Sequence, residues 1–340
     1  MSAAARRYPL WLGGTLALVL LMVLVSFSMG RFPVSPAEVW RALWSAITGS
    51  ESGLAANAEA VVLGLRAPRV AAALSVGAAL AAAGAAYQNL FKNPLVSPDI
   101  LGVTAGCALG AGVAILFALP AAAIHAASFM GGLAAVALVV IIGTWVAGRD
   151  PILTLILTGV VVGSLFAAGI ALVKSIADPY NQLPAIVFWL LGSFTGVLPR
   201  DLAIALPVMA AGIAVLWFLR WRIDVLALPD DEAQSLGVDV RRLRTVVIVA
   251  ATLVTASAVS IAGTIGWVGL IVPHAARLIA GASFPRVLTL SIALGAGFML
   301  AVDTVCRTAF TTEIPPGVAT AFVGTPVFIA LLALAFRRSA

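Results

Sequence analysis

Charged side chains are few in this sequence. Only 10% of its 340 residues are Asp, Glu, Lys or Arg, where a soluble domain carries about 25%. Lysine is nearly absent, with Lys92 and Lys174 the only two among twenty cationic residues. Neither lies in a Gly-x-x-x-x-Gly-Lys run, so the chain has no phosphate-cradling P-loop and no ATPase site of that kind. Histidine occurs twice, at His125 and His274, without the His-Glu-x-x-His spacing of a zinc protease. No Gly-x-Ser-x-Gly elbow is present, which removes that class of serine hydrolase. The two cysteines, Cys107 and Cys306, each stand inside an apolar run and offer neither a disulfide framework nor a metal site. With so few polar groups, a large soluble catalytic domain is excluded.

What is present is apolar. Hydrophobic residues make up 62% of the chain and the mean hydropathy is +1.12, values that belong to an integral membrane protein. A crossing takes about 20 residues, and the apolar runs divide into ten. They are expected at 10–29, 68–90, 100–119, 121–147, 152–173, 202–219, 246–263, 266–281, 288–308 and 316–336. The first is read as a retained helix, because no small-residue cleavage site follows it. An amphipathic segment at 37–47 carries Trp40 and Trp44 on one face and reads as interfacial. A further apolar piece at 183–194 is too short to cross alone.

The net charge of +6 does not indicate nucleic-acid binding, because the arginines are scattered between apolar runs. They sort instead by side. With the N-terminus inside, one face holds Arg6, Arg7, Lys92, Arg149, Arg220, Arg222, Arg241, Arg242, Arg244, Arg277, Arg286, Arg337 and Arg338. The other holds Arg31, Arg41, Arg66, Arg69, Lys174, Arg200 and Arg307, so the split is thirteen to seven in the direction of the positive-inside rule. Both termini are then cytoplasmic, and the 1–340 chain forms one membrane domain. A faint repeat, Ala83-Gly84 ten residues before Pro94 and Ala262-Gly263 ten residues before Pro273, predicts two inverted units with broken helices, a transporter trait.

The most polar stretch is 220–244. Asp230, Asp231 and Glu232 favour a helix start, Gly237 a stop, and Asp239 a second cap. The prediction is a pair of short helices, a docking knob rather than an ordinary connection, since connections run about 4–6 residues. On the opposite face Arg66, Arg69 and Arg307 lie near membrane boundaries and are suited to bidentate pairing with carboxylates of another protein. Asp303 lies four residues from Arg307, so an internal pair on one helix face is an equal alternative. His125 is placed in an outer loop and His274 as a cap after a break at Pro273, both structural.

These motifs together resemble the FecCD family, the permease subunits of type II ABC importers for ferric siderophores, heme and cobalamin. The resemblance is carried by Arg66-Ala67-Pro68-Arg69, by Lys92-Asn93-Pro94-Leu95 and Pro98-Asp99-Ile100-Leu101-Gly102, and by Glu232-Ala233-Gln234-Ser235-Leu236-Gly237. It continues in Gly269-Leu270-Ile271-Val272-Pro273-His274 with Arg277, Asp303 with Arg307, and Glu313-Ile314-Pro315-Pro316-Gly317. It implies an all-α fold of ten transmembrane helices with short periplasmic helices and a cytoplasmic coupling-helix pair. It also implies a second permease subunit (a homodimer), two ATPase subunits that use ATP and magnesium, and a periplasmic binding protein, in a bacterial inner membrane.

By that resemblance Arg66, Arg69 and Arg307 meet acidic residues of the binding protein. Asp230, Asp231, Glu232, Ala233, Ser235, Leu236, Gly237 and Arg241 contact the ATPase, and Pro151, Ile152 and Leu153, with Asp150, form a cytoplasmic gate. No cofactor or metal is bound by the chain itself. The implied cargo is an iron chelate, with the ferric-siderophore branch favoured by 177–184. Heme, cobalamin and oxyanion importers share the motifs. A different class, an ion-coupled secondary carrier, would need an intramembrane carboxylate relay, for which Asp303 is the one candidate.

Overall fold

The computed structural model describes residues 3–30, 32–146, 151–309 and 311–339. Among them there is no strand. The helices are α1 (Ala3–Ser28), α2 (Pro36–Thr48), α3 (Ala56–Glu59), α4 (Ala67–Leu90), α5 (Val103–Leu116), α6 (Ala121–Val146), α7 (Pro151–Ile176) and α8 (Gln182–Leu190). There follow α9 (Pro199–Phe218), α10 (Arg220–Val225), α11 (Asp230–Ser235), α12 (Val240–Ala262), α13 (Val268–Ala280), α14 (Phe284–Thr308) and α15 (Pro316–Ser339). A π-helical stretch, Ala60–Arg66, fuses α3 to α4.

Among the described residues, seven helical segments are long and apolar enough to cross a membrane; two shorter apolar helices, α5 and α13, and the apolar stretch Pro316–Leu331 of α15 stand where the remaining predicted crossings fall. Predicted and observed boundaries agree within a few residues except at two starts: α1 begins at Ala3 rather than 10, and α12 begins at Val240, six residues before the expected 246. Asp239 explains the early start of α12: its carboxylate accepts the Arg242 amide at 3.0 Å and caps the helix.

Helices α4 and α12 form the centre and are mostly buried, whereas α1, α6 and α7 are mostly exposed. Ala and Gly on α4 make this possible, because small residues let backbones approach in a medium where apolar surface alone gives no drive to associate. Gly77 faces the backbone of Gly295 and Gly84 that of Gly269, and a methyl group at either would overlap a carbonyl.

Two helical interruptions meet beside α4. The segment between α4 and α5 contains Val96 and Pro98, and α13 begins at Val268 after non-helical residues 263–267. The Gln88 amide donates to the Val96 carbonyl at 3.3 Å and to the Leu270 carbonyl at 3.1 Å. The predicted long-then-short units therefore exist as α4–α5 and α12–α13, but their prolines are not equivalent. Pro94 lies in a turn, while Pro273 is inside a continuous α13, so the expected break at Pro273 is corrected to one at 263–267. His274 is accordingly mid-helix rather than a cap.

Contacts sort the helix ends into two faces. At one, the end of α1 meets the starts of α3–α4 and the end of α14 through Arg66 and Arg307. The end of α5 meets the start of α8 there as well. At the other, Asn89 in the last turn of α4 and Lys92 just after it donate to the Ile223 and Leu228 carbonyls, and Asp224 accepts the Phe284 amide that starts α14 at 2.8 Å. These are called the arginine end and the knob end below.

Candidate functional site

Of the three arginines predicted to face a partner, Arg66 and Arg307 are buried and Arg69 is half-buried. Arg66 is 5% exposed and donates to the carbonyls of Phe27 and Phe32, closing the end of α1. Arg307 is 8% exposed and donates to the Ser26 carbonyl and, at 2.7 Å, to the Ser26 hydroxyl. Arg69 lies between two carboxylates. Its Nε and Nη2 reach Asp303 at 2.9–3.1 Å, and its Nη1 and Nη2 reach Glu313 at 3.3 and 3.0 Å. Asp303, at 0% exposure, is also 3.8 Å from Arg307 Nε.

The internal Asp303–Arg307 pair anticipated from the spacing is thus present, but the closer partner of Asp303 is Arg69, contributed from 234 residues away. A buried carboxylate requires such company, since an unpaired charge inside costs several kcal/mol. Two cations therefore flank Asp303, Arg69 in contact and Arg307 at 3.8 Å.

Glu313 and Thr195 were not singled out as site residues from sequence. The Thr195 hydroxyl donates to Glu313 Oε2 at 2.9 Å, which ties the 193–197 loop to Arg69. That loop walls a cavity of about 420 Å³ with His125, Phe188 and Trp189 among its lining residues. His125 is not in a loop; it lies in α6, with Nδ1 3.6 Å from the Asp201 carboxylate. The sequence signal for Glu313 is its place in Glu313-Ile314-Pro315-Pro316-Gly317.

At the knob end the 220–244 stretch is built as predicted in outline. α11 opens with Asp230, Asp231 and Glu232, which suit the positive end of the helix, and Ala233 is its buried contact. Gly237 turns the chain with φ +80°, a conformation that favours glycine. The second helix is not a separate short one; it is the first part of α12 itself. Asp230 accepts Arg244 at 2.7 Å and lies 3.8 Å from Lys92, fastening the knob to α12 and to the turn after α4. Asp231, Glu232, Ser235, Gly237 and Arg241 face outward, as does Leu236 at 64% exposure.

Pro151, Ile152 and Leu153 begin α7 at the knob end, with Pro151 and Leu153 exposed and Ile152 half-buried. Asp150, the fourth residue of the expected gate, lies outside the described residues, as do Arg31 and Arg149. Deeper in α7, Gly159 packs against the Ile100 carbonyl. Among the described residues no group of three or more His, Cys, Asp or Glu could hold a metal ion.

A profile of the FecCD transport family matches residues 18–334. The chain belongs to the FecCD transport family. It is 37% identical over 322 residues to the molybdate import system permease protein MolB of Haemophilus influenzae, covering 94% of each chain. It is 33% identical over 336 residues to the Fe(3+) dicitrate transport system permease protein FecC of Escherichia coli, covering 98% of this chain and 99% of the relative. The solved inward-facing structure of a protein described as a metal-chelate type ABC transporter superposes with a TM-score of 0.85 at 34% identity. That match covers 96% of this chain and 99% of the other. The family resemblance read from the motifs is therefore correct, and the fold is that of an ABC-importer permease. The protein is a multi-pass membrane transport component.

Proposed function

We propose that this chain is the membrane-spanning permease subunit of an ATP-driven importer that moves an iron chelate, most specifically a ferric siderophore, inward across a bacterial inner membrane. On this reading the knob end is cytoplasmic, both termini lie on that side, and the arginine end is periplasmic. Two copies of the chain enclose the pathway. ATP and magnesium are handled by two partner ATPase subunits, no cofactor is held by the permease, and a periplasmic protein delivers cargo at the arginine end.

The observation that carries this reading is the continuity of α12 with the knob. α11 is fastened to α12 by Asp230–Arg244, and α12 runs unbroken to Ala262. There the Ala262 carbonyl accepts the Ser193 amide at 2.8 Å, and Gly317 of α15 is crowded by the carbonyls of Leu191 and Thr264. A push on the exposed Leu236 face by an ATPase dimer is thus delivered through one rigid helix to the loops at the opposite end. A secondary carrier would have no use for such a lever, and its proton-relay candidate is locked in ion pairs. Pro151, Ile152 and Leu153 close the cytoplasmic mouth as an apolar gate.

The cargo assignment draws on the metal-chelate and ferric dicitrate relatives, with molybdate import as the competing chemistry. The test is reconstitution with the partner ATPase and binding protein in proteoliposomes. Uptake of iron-loaded siderophore that requires ATP supports the proposal, as does the absence of hydrolysis by the permease alone. Uptake driven by an ion gradient without ATP overturns the class, and ATP-driven molybdate uptake without iron-chelate uptake overturns the cargo.

A further inference from the structure

The two carboxylates on Arg69 differ in how firmly they are held. Asp303 is fully enclosed on α14, whereas Glu313 sits on the loop between α14 and α15 at 38% side-chain exposure. Arg66, Arg69 and Arg307 bring three positive charges to this corner against two negative ones. Loss of Glu313 would leave a surplus of two positive charges in a partly buried setting, where an arriving carboxylate is strongly favoured.

The donor count of Arg69 decides whether a newcomer adds to the cluster or must replace something. A guanidinium has five N–H groups. Nε and one Nη2 hydrogen serve Asp303, and the second Nη2 hydrogen and one Nη1 hydrogen serve Glu313. One Nη1 hydrogen remains. A single donor cannot form the two-pronged pair that makes arginine–carboxylate recognition strong, so an incoming acidic side chain gains that geometry only by taking the place of Glu313.

We propose that Glu313 is an internal stand-in for a carboxylate of the docking protein, displaced from Arg69 when that protein binds, and that its departure frees the Thr195 hydroxyl and so removes one tether of the 193–197 loop. This rests on the docking reading of the arginine end given above and adds a residue and an order of events to it. The Thr195 hydroxyl loses its acceptor at the moment Glu313 leaves, and its loop forms one wall of the cavity containing His125 and Trp189. Docking and loosening of that wall are then one exchange reaction. The partner is a soluble protein presenting an exposed Asp or Glu, and the contact weakens as salt is raised.

The experiment measures binding of the system's own cargo-free binding protein to the assembled transporter in nanodiscs at low and high salt. Glu313→Gln removes the competitor and is expected to tighten docking by about fivefold or more at low salt, with a smaller gain at high salt. Thr195→Val, which weakens the hold on Glu313 and leaves the arginine corner otherwise intact, is expected to tighten it less. Unchanged or weaker docking by both variants overturns the exchange. Arg69→Gln combined with Asp303→Asn, which removes the buried pair together, separates the two levels of the argument. If that variant docks normally, the docking reading itself fails. If it loses docking while Glu313→Gln matches the unmodified protein, only the exchange fails.

Discussion

Gly84 and Gly269 pack backbone to backbone, so that a methyl group on Gly84 would overlap the Gly269 carbonyl. This contact joins the central helix α4 to the start of α13, next to the interruption at 263–267. Gly84→Ala is expected to destabilise the protein by about 1–3 kcal/mol, the usual cost of forcing extra volume into a packed interior. The check is thermal unfolding followed by size-exclusion fluorescence. Gly64→Ala is the control, since nothing lies within 4 Å of a methyl group there, and it should leave the midpoint unchanged.

Removing Arg69 alone leaves Asp303 buried with only the longer 3.8 Å approach of Arg307. Arg69→Gln is expected to cost about 3–5 kcal/mol, as for other buried pairs broken on one side. Asp303→Asn added to it should recover most of that loss. A double-mutant cycle on unfolding midpoints measures the coupling, and additive effects would show that the pair contributes nothing of its own.

Leu236 and Arg241 stand outside the packed bundle, so changing them should leave the fold intact. Leu236→Asp and Arg241→Glu are each expected to reduce recovery of the ATPase partner in co-purification by tenfold or more with an unaltered elution profile. Full recovery with both changes present would remove the knob from the coupling scheme.

The start of α2 is closed by a capping box. The Glu38 carboxylate accepts the Ser35 amide and hydroxyl, each at 2.7 Å, while Ser35 accepts the Glu38 amide at 3.3 Å. Those bonds, from the Ser35 backbone first and its hydroxyl second, hold the Glu38 carboxyl below its ordinary range. Stabilisation of α2 by this group is therefore present above the usual glutamate range and is lost as pH falls through the depressed value. Fluorescence of the stacked Trp40 and Trp44, 5.8 Å apart, should report loosening of α2 in that acid window. Glu38→Gln should flatten the response, and an identical pH profile in the variant would refute the assignment.

The helices and their order were legible in the sequence because each crossing must be apolar over its own length and must satisfy its backbone within itself. Those are local requirements, written in consecutive residues. The first-turn acids of α11, the stop at Gly237 and the cap at Asp239 could be read for the same reason. The break before α13 was misplaced at Pro273 because a proline in a helix interior removes a backbone hydrogen bond and usually ends the helix, whereas α13 continues through it. The non-helical run at 263–267 is instead supported by neighbours remote in sequence, among them the Leu190 carbonyl, which accepts the Thr264 hydroxyl.

Composition and hydropathy by themselves determined that this chain is an all-helical membrane protein, and its motifs determined the family. Only the tertiary structure decided what its polar groups do. Arg69 finds Asp303 and Glu313 more than 230 residues away, and Arg307 finds Ser26 across 281. A charge in an apolar setting takes whichever partner packing brings within reach, and that choice is made by the folded arrangement of helices rather than by any neighbour in the chain.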